Sequence, residues 1–506
     1  MVLSLLVVLD ISALFCVVLL LKRLFSSKKT YPLPPGPRGL PLVGNILDMP
    51  SEKEWETFSK WSDTYGDICS VTVLGQTIVV LGGTQVAVDL LDKRSAVFSD
   101  RPVCQMGGEL VGWKNTLVLL PYGDRFRRFR RLFHNIIGSR NLMKQFHPMQ
   151  ELETRRFLRR VLAKPGDVAT HIRKAAGTII LHMAYGYETK ENNDPFVQLA
   201  DQATEQFSLA TAPGGFMVDL IPVLRHTPRW FPVGWRVKAN AWSATLDQMV
   251  EQPFAFVKRQ MAAGVAPVSF TSKLLEEPKE LTAEDIFDIK WSSASLYSGG
   301  ADTTVSAVYA FFLAMALHPE VQTKAQQELD AVIGGDRLPT YADREDLPYV
   351  NALVSEVLRW HSVVPTGVPH RALRDDVYEG YFIPKGALVI ANMHRLTHDA
   401  RTYKDPMRFN PDRFIGTEKC AAEPDPRNVC WGFGRRICPG MHLADAHIFI
   451  SCAMALTVFD VSKVIENGQV VVPVHENTTG TISHPVPFRC AVKPRSEKSV
   501  QLIQSD

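Results

Sequence analysis

The sequence has few of the features that mark several common classes of protein. Its 506 residues include only eight cysteines, too few for a disulfide scaffold, and none has CxxC or CxxCH spacing, so neither a zinc ribbon nor a thioether-linked cofactor is indicated. The 56 basic residues nearly balance the 53 acidic ones, and a net charge of +3 argues against nucleic acid as the main partner. The chain also has no Rossmann glycine fingerprint, P-loop, internal repeat or low-complexity linker.

What remains is the composition of an ordinary packed protein, with 46% hydrophobic and 22% charged residues. A size rule of roughly 150 residues per domain suggests about three domains, but the missing linkers favour one large body. Strand-like runs occur at 68–74 and 77–81, helical patterns dominate 140–360, and further strand-like runs follow at 377–383 and 387–393. The pattern predicts a mainly α fold with small β-sheets, in the α+β class.

The N-terminus carries a separate signal. Residues 2–21 are apolar apart from Asp10 and two serines, and basic residues follow directly. About 20 apolar residues suffice to cross a bilayer, and the basic flank favours a cytoplasmic location for the rest of the chain. A cleaved signal peptide is the alternative, although no A-x-A-like site follows the run. We predict a transmembrane signal anchor at 1–24, a basic and proline-rich hinge at 25–38 and a single body at 39–506.

A long helix is predicted in the middle of the chain. It begins where Thr282 and Asp285 form an N-terminal cap and runs to about His318. Gly299 and Gly300 lie at its centre, where two glycines cost roughly 2 kcal/mol relative to alanine. Either these glycines let a neighbouring element pack closely, or they open the helix for a molecule bound there.

The most informative segment is 431–440, with the sequence WGFGRRICPG, which we call the cysteine loop. Its glycines predict a tight loop in which the backbone approaches a ligand closely. Cys438 precedes Pro439, the preferred first residue of a helix, and a helix N-terminus stabilises the thiolate form that binds metals. A lone cysteine is more often a small buried hydrophobe, but the surrounding glycines and arginines favour a metal ligand.

The cysteine loop resembles the haem-binding loop of the cytochrome P450 superfamily, F-x-x-G-x-R-x-C-x-G. Further motifs resemble that family and follow its order: an oxygen-binding motif, an E-x-x-R helix and an arginine-bearing loop, at Gly299–Thr304, Glu356–Arg359 and Phe409–Phe414. The N-terminal anchor and hinge resemble the microsomal members, and phrases such as His370–Asp376 resemble fungal ones. The likeness covers nearly the whole chain and implies a single large haem domain behind an N-terminal transmembrane helix.

The resemblance implies haem b as the cofactor and Cys438 as the ligand of its iron. The other positions that it places at the cofactor are Arg130, His370, Arg436, Phe126, Trp431, Phe433, Gly434 and Gly300. Of these, the two arginines and the histidine match positions that bind the haem propionates. Phe126 stands where the family usually has tryptophan, so one propionate contact lacks its N–H donor. Trp431 replaces the usual phenylalanine, and its indole either packs in the core or donates its N–H to the thiolate, which would raise the reduction potential.

Two further sets of residues match the family. Glu356 and Arg359 share a helix face and could form an exposed ion pair worth well below ~1 kcal/mol; the resemblance implies instead a buried structural triad with Arg413. Asp302 and Thr303 are the predicted catalytic residues, which by resemblance serve oxygen activation. Cleavage of the O–O bond needs protons; the Thr303 hydroxyl can hold an ordered water, and Asp302 can relay protons from solvent.

These features predict a membrane-bound haem-thiolate monooxygenase of secondary metabolism, which inserts one oxygen atom from O2 into a small hydrophobic substrate. Only residues 439–506, 68 in all, follow Cys438, which is too few for a fused flavin domain. The electrons are therefore expected from NADPH through a separate NADPH–cytochrome P450 reductase, with cytochrome b5 as a further donor. The expected location is the endoplasmic reticulum membrane. Two alternatives remain open. One is a P450-fold isomerase that rearranges peroxides without O2, and the other is a non-catalytic haem protein that binds ligands or carries electrons.

The basic run at 125–131 is predicted to be a helix with two faces. Phe126 and Arg130 share one face with other aromatic residues, and the outward-facing arginines are Arg127, Arg128 and Arg131. The outward face suits an acidic partner such as a reductase, or is simply solvated. By resemblance, mostly apolar or small residues line the substrate pocket, at 106–113, Phe207, Ser295, 363–368 and 478–480. Terpenoids, polycyclic aromatics, fatty acids and sterols all remain open as substrates.

Overall fold

The computed structural model describes residues 31–212, 214–228, 233–276, 280–418 and 420–505. The predicted anchor at 1–24 and the start of the predicted hinge lie outside the described residues. The described part of the hinge, 31–38, runs along the first strand. There the Ser70 N–H donates to the carbonyl of Pro35 at 2.8 Å, and the Ser70 hydroxyl donates to that of Pro34 at 2.6 Å. This part of the hinge is therefore held against the body and is not a free spacer.

Helices make up most of the described chain, as predicted. The longer ones are α1 Glu54–Tyr65, α2 Asp124–Ile137, α3 His147–Ala163, α4 Val168–Tyr185, α5 Pro195–Thr211, α6 Gly234–Ala262, α7 Ala283–Ala301, α8 Thr303–Leu317, α9 Pro319–Ile333, α10 Pro348–Trp360, α11 Met441–Val458 and α12 Glu497–Gln504. Short α-helical turns lie between them at Thr84–Ala87, Ser95–Phe98, Arg140–Met143, Met217–Leu220, Phe270–Leu275, Met393–Thr397 and Arg427–Cys430. π-Helical turns occupy Val88–Lys93 and Gln105–Val111.

The strands form three small sheets. They are β1 Ile68–Val73, β2 Gln76–Leu81, β3 His370–Arg371, β4 Asp376–Tyr378, β5 Tyr381–Ile383, β6 Leu388–Ala391, β7 Phe459–Glu466, β8 Gln469–Val471 and β9 Cys490–Pro494. The sheet orders are β1-β2-β6-β3, β4-β5 and β8-β7-β9, and β2 pairs with β6 in parallel while the other pairs are antiparallel. The strands predicted early in the chain and at 387–393 are confirmed. The run at 377–383 is a hairpin, because Glu379 and Gly380 both adopt positive φ, 48° and 80°.

The central helix begins where the sequence predicts. Thr282 Oγ1 accepts the N–H of Asp285 at 3.1 Å, and the Asp285 carboxylate accepts the N–H of Thr282 at 3.0 Å, which is a complete capping box. The predicted single helix is interrupted at Asp302, where φ is −125° and ψ is −33°. The Thr303 hydroxyl donates to the carbonyl of Gly299 at 2.8 Å, a side-chain bond that competes with the helix backbone and bends it.

Two helical stretches in the described residues are long and apolar enough to cross a membrane, Ala283–Leu317 and Met441–Val458. In each, the most apolar 18-residue window is 78% or 83% buried within the protein, respectively. Their apolar surfaces are already covered, so both are core helices. Residues of α8, α10 and α11, such as Phe311, Leu353 and Phe449, belong to the largest buried cluster among the described residues.

The predicted triad is confirmed as a buried network in this core. Arg359 donates to both carboxylate oxygens of Glu356, at 2.7 and 2.8 Å, and Arg413 approaches the same carboxylate at 3.2 Å. The side chains of Glu356 and Arg359 are fully buried, and that of Arg413 is 2% exposed. Arg413 also donates to Glu423 at 2.6 Å, and the Asn410 N–H donates to Glu356 at 2.7 Å. The network ties α10 to the segment that precedes the cysteine loop.

Replacing Glu356 with Gln should destabilise the protein strongly, because two buried guanidinium groups then lose the carboxylate between them. We expect the free energy of unfolding to fall by about 3–5 kcal/mol, measured by chemical denaturation. The matched control is Asp412→Asn, which breaks the ion pair of Asp412 with Lys324 where both side chains are about half exposed. That change should cost less than ~1 kcal/mol. Equal losses in the two variants would contradict the buried triad.

Candidate active site

The cysteine loop lies between the short helix Arg427–Cys430 and α11. The Cys438 N–H donates to the carbonyl of Trp431 at 2.8 Å, which closes the loop. Gly434 adopts a φ of +51°, and a Cβ there would lie 2.5 Å from the carbonyl oxygen of Leu91. A side chain at position 434 would therefore force the loop away from the π-helical turn that contains Leu91.

Protein surrounds the predicted iron ligand, although its side chain keeps partial exposure. Burial raises the pKa of Cys438, while the N–H of Gly440 and the positive charge of Arg130 oppose that rise. A metal ion bound to the sulfur would deprotonate the thiol outright. The loop thus offers the sulfur one N–H donor and one nearby cation.

Two of the predicted propionate-binding residues lie next to the cysteine loop, Arg436 buried and Arg130 partly buried. Arg436 donates to the carbonyls of Ser99 and Leu120, each at 2.7 Å. Arg130, from α2, donates to the carbonyl of Ile437 at 2.7 Å. These bonds fix the guanidinium groups in place, but backbone carbonyls do not neutralise their charge.

A third buried arginine joins this set, and nothing in the local sequence pattern marks it. Arg101 donates to the carbonyls of Val118 and Val368, at 3.0 and 2.6 Å. His370, in β3, donates from Nδ1 to the carbonyl of Phe98 at 2.6 Å. Burial, reinforced by the charge of Arg101, holds the pKa of His370 well below its ordinary value. The neutral ring presents Nε2 as an acceptor, so His370 must gain a proton before it can bind a propionate.

Nearby negative charges only partly compensate the positive charges of Arg101, Arg130 and Arg436. Burial holds the pKa of Arg101 well below its ordinary value, lowers that of Arg436 to about 10 and also lowers that of Arg130. Asp100 opposes these shifts at Arg101 and Arg436, but its carboxylate also lies 3.4 Å from Arg371. Because desolvation outweighs Asp100, a further buried anion would be favourable here. The set therefore fits the two carboxylates of a haem.

The predicted aromatic neighbours take different positions. The ring of Phe126 lies 3.9 Å from Cζ of Arg436, a cation–π contact that supports the guanidinium group. Trp431 packs against the largest core cluster, in agreement with the packing alternative; an electronic effect on Cys438 stays a prediction. Phe433 is buried with the residues of the four-stranded sheet.

The two central glycines differ in their surroundings. A Cβ on Gly300 would lie 2.7 Å from Cδ1 of Ile180 in α4, whereas one on Gly299 would meet nothing within 4 Å. Gly300 thus permits close helix packing, the first of the two alternatives, and Gly299 faces open space. A contact between Gly300 and haem stays a prediction.

The predicted catalytic pair lies at the break between α7 and α8. Asp302 is 8% exposed, and its Oδ2 lies 3.0 Å from Nε2 of His484. The Thr303 hydroxyl lies beside it, bonded to the carbonyl of Gly299. Sequence analysis missed His484, because 182 residues separate it from Asp302 and no local pattern links them.

The structure also gathers the residues predicted to line the pocket. Met106, Trp113 and Phe207 belong to one apolar cluster, in which the rings of Trp113 and Phe207 are 4.8 Å apart. Ser295 joins them from α7, where its hydroxyl accepts the N–H of Leu117 at 2.9 Å. Partly buried Val363 and Val368 pack against the same cluster. Most of these residues are apolar, in keeping with the hydrophobic pocket that the resemblance implies.

The predicted outward face of α2 is partly used within the protein. Arg128 forms ion pairs with Glu284 and Asp288, at 2.6 and 2.8 Å, and Arg127 pairs with Asp124. Arg127, Arg131 and Arg435 remain exposed. The basic face is therefore smaller than the sequence suggests.

The comparisons with known proteins identify the family of this chain. The sequence model of the cytochrome P450 family matches residues 34–491. The chain belongs to the cytochrome P450 family. It is 54% identical over 499 residues to cytochrome P450 monooxygenase 208 of Postia placenta, which covers 98% of this chain and 97% of that protein. It is 47% identical over 476 residues to cytochrome P450 monooxygenase claR of Ampulloclitocybe clavipes, with 93% and 88% covered, and 42% identical over 480 residues to cytochrome P450 monooxygenase ppsD of Aspergillus oryzae, with 94% and 91% covered.

The predicted family, fold class and enzyme class are confirmed by these matches. The chain is a cytochrome P450 monooxygenase, the family implies a haem cofactor, and these relatives are all fungal. The identity of each site residue stays a prediction, which the geometry of the buried arginines supports.

Replacing Arg130 with Gln should weaken haem retention, because a charged hydrogen bond to a propionate is worth about 1.5–3 kcal/mol. We expect the rate of haem transfer to excess apomyoglobin to rise roughly 10- to 100-fold. Arg127→Gln, on the outward face of the same helix, is the matched control and should leave the rate unchanged. An unchanged rate in the Arg130 variant would remove that residue from the haem site.

Proposed function

We propose that Cys438 binds the iron of haem b, and that the enzyme inserts one oxygen atom from O2 into a small hydrophobic substrate with electrons from NADPH. The observation that carries this proposal is the set of buried basic groups beside Cys438. Arg101, Arg130 and Arg436 approach one another around the cysteine loop, and their desolvation calls for a buried anion. The propionates of haem would supply that charge, held by these arginines beside Cys438.

The protein's own residues would manage the protons of the reaction. When bound, the haem would supply O2 binding and electron transfer, and thiolate ligation favours O–O cleavage. The Thr303 hydroxyl, held at the helix break, can turn from the Gly299 carbonyl to hold an ordered water. Asp302 lies one residue away, partly buried, and can hold a proton at Oδ2 and release it toward that water.

The electron source is inferred from the requirements of the reaction and from the surface near the cysteine loop. Arg127 and Arg435 both lie over the ring of Tyr122, with Cζ 5.7 and 5.2 Å from its centroid. Exposed positive charge at this place would attract an acidic protein surface. We therefore infer that an NADPH–cytochrome P450 reductase, and cytochrome b5 as a further donor, dock here.

We infer attachment to the endoplasmic reticulum membrane, through a single-pass anchor at 1–24 with the haem domain at 39–506 on the cytoplasmic face. The exposed apolar residues next to the hinge support this inference. Leu40, Leu42 and Leu47 are 51%, 63% and 80% exposed. Apolar side chains in this position would lie in the membrane interface close to the anchor.

The ferrous–carbon monoxide spectrum tests the haem-thiolate assignment. We expect the far-red Soret shift of thiolate ligation in the native protein and in Cys420→Ser, whose cysteine is exposed. Cys438→Ser should lose the shift.

Substrate-dependent NADPH consumption with added reductase would then separate a monooxygenase from a peroxide isomerase or a haem carrier. Farnesol, pyrene, dodecanoic acid and ergosterol, scored by binding-induced spectral shifts, form the first substrate panel.

Thr303→Ala should keep the haem and divert electrons to hydrogen peroxide, because the hydroxyl that holds the proton-bearing water is lost. We expect at least about tenfold more peroxide per molecule of product. Thr323→Ala is the matched control: its hydroxyl makes the same bond to the carbonyl four residues earlier, at 3.0 Å, on the exposed α9. Fully coupled turnover in Thr303→Ala would contradict the assignment.

A further inference from the structure

Asp302, the predicted proton donor, has a histidine partner from a distant part of the chain. Nε2 of His484 lies 3.0 Å from Oδ2 of Asp302. The side chains of His484 and Asp302 are 17% and 11% exposed, so the pair lies between the protein interior and solvent. With Asp302 ionised, the imidazole carries its proton on Nε2 and donates it to the carboxylate.

The position of His484 is fixed by its neighbours. The Thr478 N–H donates to the carbonyl of His484 at 2.8 Å, and the His484 N–H donates to the Thr478 hydroxyl at 3.0 Å. The preceding residue is held as well, because the Ser306 hydroxyl donates to the carbonyl of Ser483 at 2.5 Å and the Ser483 N–H donates to the carbonyl of Val363 at 2.9 Å. These bonds hold the backbone of His484 next to the helix break, from which its ring reaches Asp302.

Two titratable groups from other elements interact electrostatically with this pair, Asp201 of α5 and His361 after α10. Arg173 of α4 and Glu205 of α5 act in turn on Asp201. Burial raises the pKa of Asp201 to about 6, and the charge of Asp302 adds to the rise. Burial lowers the pKa of His361 to about 3, so that ring stays neutral. An imidazole has two ring nitrogens that can each bind or release a proton, so His484 can take up a proton at one nitrogen and pass one on from the other.

We propose that His484 is a proton-relay residue that passes solvent protons to Asp302. A proton from water binds Nδ1 of the neutral ring, and the proton on Nε2 moves to Oδ2 of Asp302. The carboxyl then releases this proton toward the water held by Thr303, and the imidazole regains its first tautomer by exchange with solvent. No electron moves in these steps. The proposal rests on the proposed roles of Asp302 and Thr303 and adds the group that supplies them.

A residue that only positions Asp302 would behave differently, and His484→Gln separates the two roles. Glutamine keeps an N–H donor for Asp302 but cannot take up a proton. We expect His484→Gln, as holoenzyme with reductase and the panel compound that gives the largest spectral shift, to release roughly tenfold more hydrogen peroxide per molecule of product. If the variant couples as well as the native enzyme, His484 only positions Asp302 and the proposal is wrong.

The pH profile gives a second test. In the native enzyme coupling should fall as pH rises from 6 to 8.5, because the relay draws its protons from solvent and these become scarcer, whereas His484→Gln should be flat over the same range. His318→Gln is the matched control, since it removes another histidine paired with a carboxylate, Glu320 at 3.5 Å, away from the helix break. It should keep the native profile. A native profile in His484→Gln would overturn the proposal.

A measurement without turnover completes the test. In the diamagnetic ferrous–carbon monoxide form, the ¹³C resonance of labelled His484 is assigned by its loss in His484→Gln or His484→Asn. Asp302→Asn should shift the imidazole away from the Nε2–H tautomer, because the carboxylate that accepts that proton is lost. An unchanged tautomer balance would show that the pair does not act together and would refute the relay. Coupled turnover in Thr303→Ala would refute the proposed function itself, whereas uncoupling in Thr303→Ala with native coupling in His484→Gln refutes only the relay.

Discussion

The matching of buried positive charge is the constraint on which the rest of this structure depends. Glu356 satisfies it for Arg359 and Arg413, whose guanidinium groups share one fully buried carboxylate. Arg101, Arg130 and Arg436 bond mainly to backbone carbonyls, and Asp100 offsets only part of their charge. The network of Glu356, Arg359 and Arg413 holds α10 against the segment before the cysteine loop. The arginines around the cysteine loop would be stabilised by a further anion, which we propose haem supplies. Removing charged groups from water is costly unless opposite charge replaces the lost solvation.

The helix break at Asp302 lies where the buried core meets the proposed catalytic residues. The backbone leaves helical geometry at Asp302, the Thr303 hydroxyl donates to the Gly299 carbonyl, and Gly300 lets α4 approach through Ile180. The C-terminal turn then brings His484 to the carboxylate of Asp302. Three segments far apart in the chain thus meet at one interrupted turn of helix.

Much of the fold could be predicted from local patterns. The capping box at Thr282, the early hairpin of β1 and β2 and the E-x-x-R helix all depend on residues a few positions apart, whose geometry follows from helix or strand periodicity. The two glycines left close packing and an opened helix as alternatives, and periodicity could neither choose between them nor place the break at Asp302. The outward arginines of α2 were predicted as one face, but Glu284 and Asp288 of α7 neutralise part of it.

The sequence by itself determined the family, the cysteine loop and the order of the motifs. Each of these depends on residues a few positions apart, whose spacing can be read directly from the sequence. Only the tertiary structure decided which groups meet: Arg101 beside Arg436, Phe126 over the same guanidinium group, Ile180 against Gly300 and His484 on Asp302. These contacts join residues far apart in the chain, such as Arg436 and Phe126, which are 310 positions apart. The physical reason is that burial and charge pairing are properties of three-dimensional neighbours, which no local spacing encodes.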